Sequence, residues 1–187
     1  LEVLYEQYAA LHNSPKKQRF LIKPIVLINV AIIEAVLYDF LRRVKSNIHE
    51  GILNMGQDVA DAIRGKDFDQ FEHYIAQSRK HDLFDLSDTN FYDRMDFLRK
   101  KRNRIHIQNK NNYEPYDEYD VFEIKDKIAS EKVTEKLLTV LSKKYHREER
   151  LHCVSDFKLP WDKHFEDEAG NESDCLTIGE AQDLGII

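Results

Sequence analysis

The sequence predicts an all-α fold, and three observations lead to that prediction. Three long stretches repeat apolar residues at helical spacing, namely Pro24–Ile48, Phe91–Asn109 and Glu131–Arg150. No stretch alternates apolar and polar residues as a half-buried strand would. Hydrophobic residues make up 42% of the 187 residues, which is enough to build a sizeable core. We therefore expect a bundle of about five to six helices.

Six segments before residue 81 form the first half of the predicted bundle. In order, they are a short helix over Glu2–His12, a turn at Asn13–Pro15, a solvated basic connection through Lys16, Lys17 and Arg19, a long helix over Lys23–Ile48, and amphipathic helices over Gly51–Arg64 and Asp67–Lys80. Pro24 suits the first turn of the long helix, where a missing N–H costs nothing. Because Ile25–Leu41 is apolar almost all round, we expect this helix to be buried on most sides.

Glu34 interrupts the apolar run of the long helix. A carboxylate in such a run is costly unless it is paired or hydrated. Two interpretations stay open: Glu34 lies at the edge of the buried face and reaches water, or it bonds to arginines of a later helix. Tyr38 and Asp39, one turn further on, are candidates for the same pocket.

The second half of the chain contains a basic helix over Phe91–Asn109, after a short apolar anchor. Its apolar stripe consists of Phe91, Met95, Leu98 and Ile105. Arg102 and His106 are four residues apart and therefore share another face, with Arg99 one turn earlier and Asn103 beside them. An apolar stripe that ends among arginine, asparagine and histidine side chains makes this helix the candidate site.

The segments after the basic helix are less regular. The polar and aromatic loop over Asn109–Tyr119 fits either base stacking or covering of the core edge. Asp120–Ala129 is ambiguous, and Glu131–Arg150 is the last predicted helix. After residue 150 the periodicity fades, although Pro160–Trp161 could dock on the domain.

The charge of the chain is divided unevenly between its two parts. Nine acidic residues against two lysines give residues 151–187 a charge of −7, and because the whole chain carries −6, residues 1–150 carry +1. A nearly neutral body with a local basic patch can still hold phosphates. We therefore expect a helical domain over residues 1–150 and an acidic, partly flexible tail over residues 151–187.

Several classes of protein are not indicated. There is no P-loop, no GxGxxG and no set of metal ligands at close spacing, so we expect no cofactor and no metal. No apolar run of about 18 residues is free of polar residues, which argues against a membrane span. Two late cysteines, Cys153 and Cys175, suit a reducing cytoplasm. The sequence shows no signal peptide, and because it begins with Leu1 we expect that the native start is missing.

The basic helix resembles the motif helix of the HEPN family, small all-helical domains of toxin–antitoxin, CRISPR and anti-phage systems, many of which cleave RNA. The family motif is an arginine, usually followed by a polar residue, with a histidine after four to six intervening residues. Arg102–Asn103 matches the polar pair, but only three residues separate Arg102 from His106. Six residues separate Arg99 from His106, which fits the family spacing, but Arg99 is followed by Lys100 instead of a typical polar residue. Either arginine can therefore be the counterpart of the family's.

The resemblance implies a HEPN-like bundle and a metal-independent endoribonuclease in which the 2′-hydroxyl of RNA attacks the neighbouring phosphate. Its implied catalytic residues are His106, Arg102 and Asn103. Its supporting or substrate-binding residues are Arg99, Glu34, Arg104 and Lys101. The resemblance also implies a homodimer that joins two motif helices, RNA as substrate, and a cognate antitoxin or defence-system partner. The cysteine content and the interrupted apolar runs lead us to expect a cytoplasmic protein without a membrane contact.

A second function class stays open beside the nuclease. The shortened spacing between Arg102 and His106 favours a non-catalytic HEPN-like module that binds nucleotides or a partner and dimerises. On the residues alone, an ordinary solvated face of a basic helix is a third interpretation, because short motifs of this kind occur by chance.

Overall fold

The structure of the chain is a computed structural model that describes residues 1–46, 54–84, 90–103, 121–145 and 159–161. Within these ranges the chain contains helices and turns but no strand, which confirms the predicted all-α bundle. The six helices are α1 (Glu2–Ala10), α2 (Pro15–Ser46), α3 (Gln57–Arg64), α4 (Phe71–Lys80), α5 (Phe91–Asn103) and α6 (Ile124–Lys144). The last part of the predicted motif helix, the tyrosine-rich loop and nearly all of the tail lie outside the described residues.

Helix α2 is the centre of the bundle, as its apolar composition predicts, and it contacts all five other helices. Its predicted start at Lys23 is wrong, because the helix begins at Pro15. The Ser14 carbonyl accepts the backbone N–H groups of Lys17 at 2.9 Å and Gln18 at 3.0 Å, which starts the helix inside the basic run. Pro24 therefore lies inside the helix, where it removes one backbone hydrogen bond. Ile22 is buried, so packing in the core stabilises the two helical turns that precede the predicted start.

Helices α3 and α4 are both shorter than predicted. Asn54 has a φ of 63°, and Gly56 is extended before Gln57, so a helix cannot run through these residues to the predicted start near Gly51. Gly65 follows the last turn of α3, as predicted. Helix α4 begins at Phe71 because the preceding Gln70 is also extended.

Helix α6 begins seven residues before the predicted Glu131 and therefore includes six of the ten residues of the ambiguous segment. Glu123 and Asp126 form a reciprocal capping box in which the backbone N–H of Glu123 donates to Asp126 Oδ2 at 2.8 Å. Lys127 pairs with Glu131 one turn later at 2.8 Å, and both side chains are nearly buried. The first turns of α6 are held by these polar contacts rather than by an apolar stripe.

A buried polar cluster joins α1, α2 and α6. Asn29, the other polar residue in the apolar part of α2, donates from Nδ2 to Ser130 Oγ at 3.0 Å and to the Tyr5 hydroxyl at 3.3 Å. The Tyr5 hydroxyl in turn donates to Glu131 at 2.6 Å. Trp161 packs on the Tyr5 ring with centroids 5.5 Å apart, which confirms the predicted docking point near Pro160. Residue 161 thus belongs to the same core as residue 5.

One face of α2 remains exposed and apolar. We call it the α2 stripe; its residues are Phe20, Ile28, Ala31, Ala35 and Tyr38. By length and composition α2 could also cross a membrane. Those two properties are weak evidence, because the core helix of a soluble bundle shares them, and ten residues of α2 are buried in the described part of this bundle. The arrangement is compatible with a soluble protein.

Candidate functional site

The C-terminal half of α5 carries most of the predicted site residues, and neighbouring positions point to different helices. Successive residues of a helix are about 100° apart, so Lys101 and Arg102 cannot face the same neighbour. The structure places Arg102 against α2 and α4, Arg99 against α4, and Lys101 against the start of α6. The predicted set of residues is therefore divided among three environments.

Arg102 meets Glu34, a contact across 68 positions of sequence. The Nη2 group of Arg102 donates to Glu34 Oε1 at 2.9 Å, and the guanidinium lies 5.6 Å from the centroid of the Phe71 ring. The exposed fractions of the two side chains are 27% and 30%, so the pair sits at the surface edge of the core. Both interpretations of Glu34 therefore hold in part: the carboxylate bonds to an arginine of the later helix and also reaches water.

The guanidinium of Arg102 is not fully used by these contacts. Its Nε atom is enclosed and has no hydrogen-bond acceptor among the described residues. An enclosed donor without an acceptor costs about 1–3 kcal/mol. A buried polar group without a partner calls for an explanation, and a catalytic role or a bound ion is one of those that apply in folded proteins.

Arg99 occupies a more closed environment than Arg102. Its guanidinium donates to Asp96 at 2.7 Å and lies 3.1 Å from Glu72, and only 13% of its side chain is exposed. Burial alone would raise the pKa of Asp96, but hydrogen bonds from Lys100 and Arg99 outweigh it and lower that pKa. Two carboxylates thus hold Arg99 as a link between α4 and α5.

Lys101 points into the bundle, away from the Arg102 environment. Its ammonium donates to Asp126 and, at 2.8 Å, to the carbonyl of Val121, and it lies over the rings of Phe97 and Phe122. Only 8% of Lys101 and 1% of Asp126 are exposed. The ammonium is thus enclosed between α5 and α6, and the predicted supporting role of Lys101 at the substrate stays a prediction.

Two tyrosines flank the Glu34–Arg102 pair, and only one of them was a sequence candidate. The Tyr38 ring is exposed and lies 5.8 Å from the Tyr74 ring. Burial raises the pKa of Tyr74, and the nearby Tyr38, Glu34 and Asp69 raise it further. Tyr74 and Phe71 of α4 were not sequence candidates for the site. They could have been proposed only by predicting that α4 packs on α5, and no local sequence pattern indicates that contact. Asp39, the other candidate, pairs with Arg43 of its own helix.

His106 and Arg104 lie outside the described residues, so their predicted roles stay predictions. Asn103 is the last residue of α5 and is half-buried. Of the predicted site, the structure brings together Arg102 and Glu34, with Asn103 adjacent in sequence, and separates them from Lys101. No group of three or more histidine, cysteine, aspartate or glutamate side chains among the described residues is arranged to hold a metal ion.

What the described site offers chemically is a guanidinium that is oriented by a carboxylate and rimmed by aromatic rings. A guanidinium is the side chain best suited to binding a phosphate in two places at once. Comparison of the chain with protein-family models, with curated proteins and with solved structures finds no match.

Proposed function

We propose that the protein is a metal-independent endoribonuclease of a toxin–antitoxin or anti-phage type. The observation that carries this proposal is the Glu34–Arg102 pair, in which α2 orients a partly exposed arginine at the end of the basic helix. An arginine held in this way can bind the scissile phosphate without first losing conformational freedom. The resemblance of residues 99–106 to the HEPN motif supplies the reaction class.

The proposed reaction is a transesterification within RNA. The 2′-hydroxyl attacks the adjacent phosphorus, the O2′–P bond forms and the P–O5′ bond breaks, which leaves a 2′,3′-cyclic phosphate and a free 5′-hydroxyl. The proton of the 2′-hydroxyl leaves to a base, and the departing O5′ receives one from an acid. His106 is the proposed proton carrier, since histidine changes its charge near neutral pH. Arg102 would stabilise the added negative charge, and Asn103 would orient the histidine or the phosphate.

Arg102, rather than Arg99, is the proposed phosphate-binding arginine. Arg99 is closed in by Glu72 and Asp96, whereas Arg102 has a single carboxylate partner among the described residues and twice the exposed fraction. A phosphate would have to displace two carboxylates from Arg99, and that exchange costs more than joining the partly used guanidinium of Arg102.

A second copy of this chain is the proposed partner. The motif of each chain offers one histidine, His106, whereas the reaction needs two proton transfers. A two-fold contact brings the same residues of two chains into one cleft. The α2 stripe is the surface that fits such a contact, because Ala31 and Ala35 at its centre let two helices approach closely. Glu34 lies at the margin of this stripe, so the contact would bring two Glu34–Arg102 pairs to one cleft.

The alternative is a non-catalytic module that binds nucleotides or a partner. Two observations favour it: the spacing of three residues between Arg102 and His106, and the fact that Glu34 already neutralises the arginine. The two functions differ in one outcome, because only the nuclease breaks RNA.

The test is to incubate the purified protein with total cellular RNA in the presence of a chelator. We expect cleavage by the parent and a loss of at least about 10²-fold in Arg102→Ala, since removal of one positioned charge-stabilising donor has an effect of this order. The matched control is Arg79→Ala, which removes an exposed arginine that is likewise paired with one carboxylate, Asp93 at 2.6 Å. Absence of cleavage in the parent would reject the nuclease and leave the binding module, whereas an equal loss in both variants would reject Arg102 as the phosphate-binding arginine.

A further inference from the structure

A cavity of about 520 Å³ opens where α2 and α6 begin side by side. Ligand pockets in proteins have volumes of about 300–1,000 Å³, so this one is large enough for a small organic ligand. We call it the helix-start cavity. The basic run that the sequence suggested to be a solvated connection forms one of its walls, because α2 already begins at Pro15.

The helix-start cavity has an apolar side. Tyr8 of α1 and Ile22 of α2 line it and are both buried in the bundle, whereas Ile124 at the start of α6 is 56% exposed. The Gln18 amide donates to the Tyr8 carbonyl at 3.1 Å and so ties α1 to α2 at this place. A flat, largely apolar part of a ligand could pack on these three side chains.

The other side of the helix-start cavity is cationic. Lys16 and Arg19 are three residues apart on α2 and therefore face the same side, and Lys125 reaches the cavity from α6. Glu123 is the one carboxylate among the described lining residues and lies 3.3 Å from the Lys125 ammonium. Exposed ion pairs of this kind contribute little, so Lys125 can turn to a bound anion.

We infer that the helix-start cavity binds a nucleotide, with its phosphate between Lys16, Arg19 and Lys125. Lysine and arginine are the usual partners of phosphate, and the apolar side suits the base and sugar. Two sources share this chemistry, a free mononucleotide and a nucleotide unit of an RNA strand. The cavity is distinct from the Arg102 site, because Glu34 lies fifteen positions after Arg19 on α2, which corresponds to about 22 Å along the helix.

The test compares two double variants of the full chain that remove the same charge. Lys16→Ala/Lys125→Ala removes two cations of the cavity, and Lys66→Ala/Lys80→Ala removes two exposed lysines of other helices or turns. Binding of AMP is measured by calorimetry, and binding of a short labelled single-stranded RNA by fluorescence anisotropy. We expect the cavity variant to weaken AMP binding at least about tenfold, the size of one lost charge-assisted contact. The control pair should bind like the parent.

The outcomes separate the two sources and keep this inference apart from the proposed nuclease. AMP binding that is lost in the cavity variant supports a site for free nucleotides. RNA binding that is lost in that variant, with no AMP binding in the parent, supports a strand-binding site. Arg79→Ala, which removes an exposed arginine outside both sites, should leave the AMP affinity unchanged. The inference is overturned if neither probe binds the parent, if the cavity variant binds as the parent does, or if both lysine pairs weaken binding equally.

Discussion

Replacing Lys101 with methionine should strongly destabilise the fold. Methionine keeps the unbranched stem near Phe97 and Phe122 but removes the ammonium that faces Asp126 and the Val121 carbonyl. Asp126 is 1% exposed, so its carboxylate would remain buried without its cation. Breaking such a pair by removing one partner costs about 3–5 kcal/mol. For a chain of this size we expect a decrease in Tm on the order of 10 °C.

The free energy of unfolding can be measured by urea titration followed by circular dichroism. Lys100→Met is the matched control, since Lys100 is the next residue, is 66% exposed in its side chain and pairs with Asp96 at 2.9 Å. An exposed pair contributes at most about 1 kcal/mol. Lys101→Met/Asp126→Asn should cost less than the sum of its single variants, because the two residues interact directly.

The reasoning would be refuted if Lys101→Met and Lys100→Met were equally stable. If, in addition, Lys101→Met lowered RNA affinity while Lys100→Met did not, Lys101 would be a binding residue, as the sequence predicted, and the enclosed ammonium would have to leave Asp126 to reach its ligand.

Three further predictions concern the dimer, the buried tyrosine and the tail. Ala31→Glu on the α2 stripe should give a monomer by light scattering, whereas Ala76→Glu on an exposed face of α4 should remain dimeric; a monomeric parent would exclude the dimer. Burial, and then the nearby Glu131, raise the pKa of Tyr5. Tyr5 therefore stabilises the fold fully below about pH 10, the unfolded value, and less above it, where the unfolded chain ionises first. The urea midpoint should thus fall above pH 10 and fall less in Tyr5→Phe, and equal slopes would contradict this. Deleting the acidic residues after Trp161 should strengthen RNA binding at low salt, where their repulsion of the phosphates reaches further. An unchanged affinity at low salt would contradict this prediction.

The existence and order of the helices could be predicted because each has an apolar face of helical period. Their starts could not, because starts depend on caps and on distant packing. Helix α2 begins at Pro15, where the Ser14 carbonyl accepts the first helical N–H groups and Ile22 is buried, but in sequence a basic run looks equally like a loop. Helix α6 begins at Ile124 through an acidic capping box whose Asp126 is neutralised by Lys101, 25 residues earlier.

The candidate site, too, could be predicted only in part from the sequence. The contact of Glu34 with an arginine of α5 was one of two open interpretations, since a carboxylate in an apolar run needs a partner. Which arginine it meets depends on the rotation of α5 about its axis, and that rotation is set by packing of Met95 and Leu98 in the core. The sequence could not show that Lys101 faces Asp126, because basic neighbours in sequence look alike until their helix is packed.

The contacts of Tyr5 have a consequence for how the protein is made. Helix α1 leaves the ribosome before the other five described helices, yet the Tyr5 side chain bonds to Glu131 and packs on Trp161, 126 and 156 residues later. Contacts this distant form late, since their loops must close first. Until α6 has been synthesised, the face of α2 that α6 covers stays open to water, and a nascent chain with exposed apolar surface is prone to aggregate and is a substrate for chaperones. If synthesis stopped before α6, the released fragment would therefore lack the contacts of Tyr5 with Glu131 and Trp161.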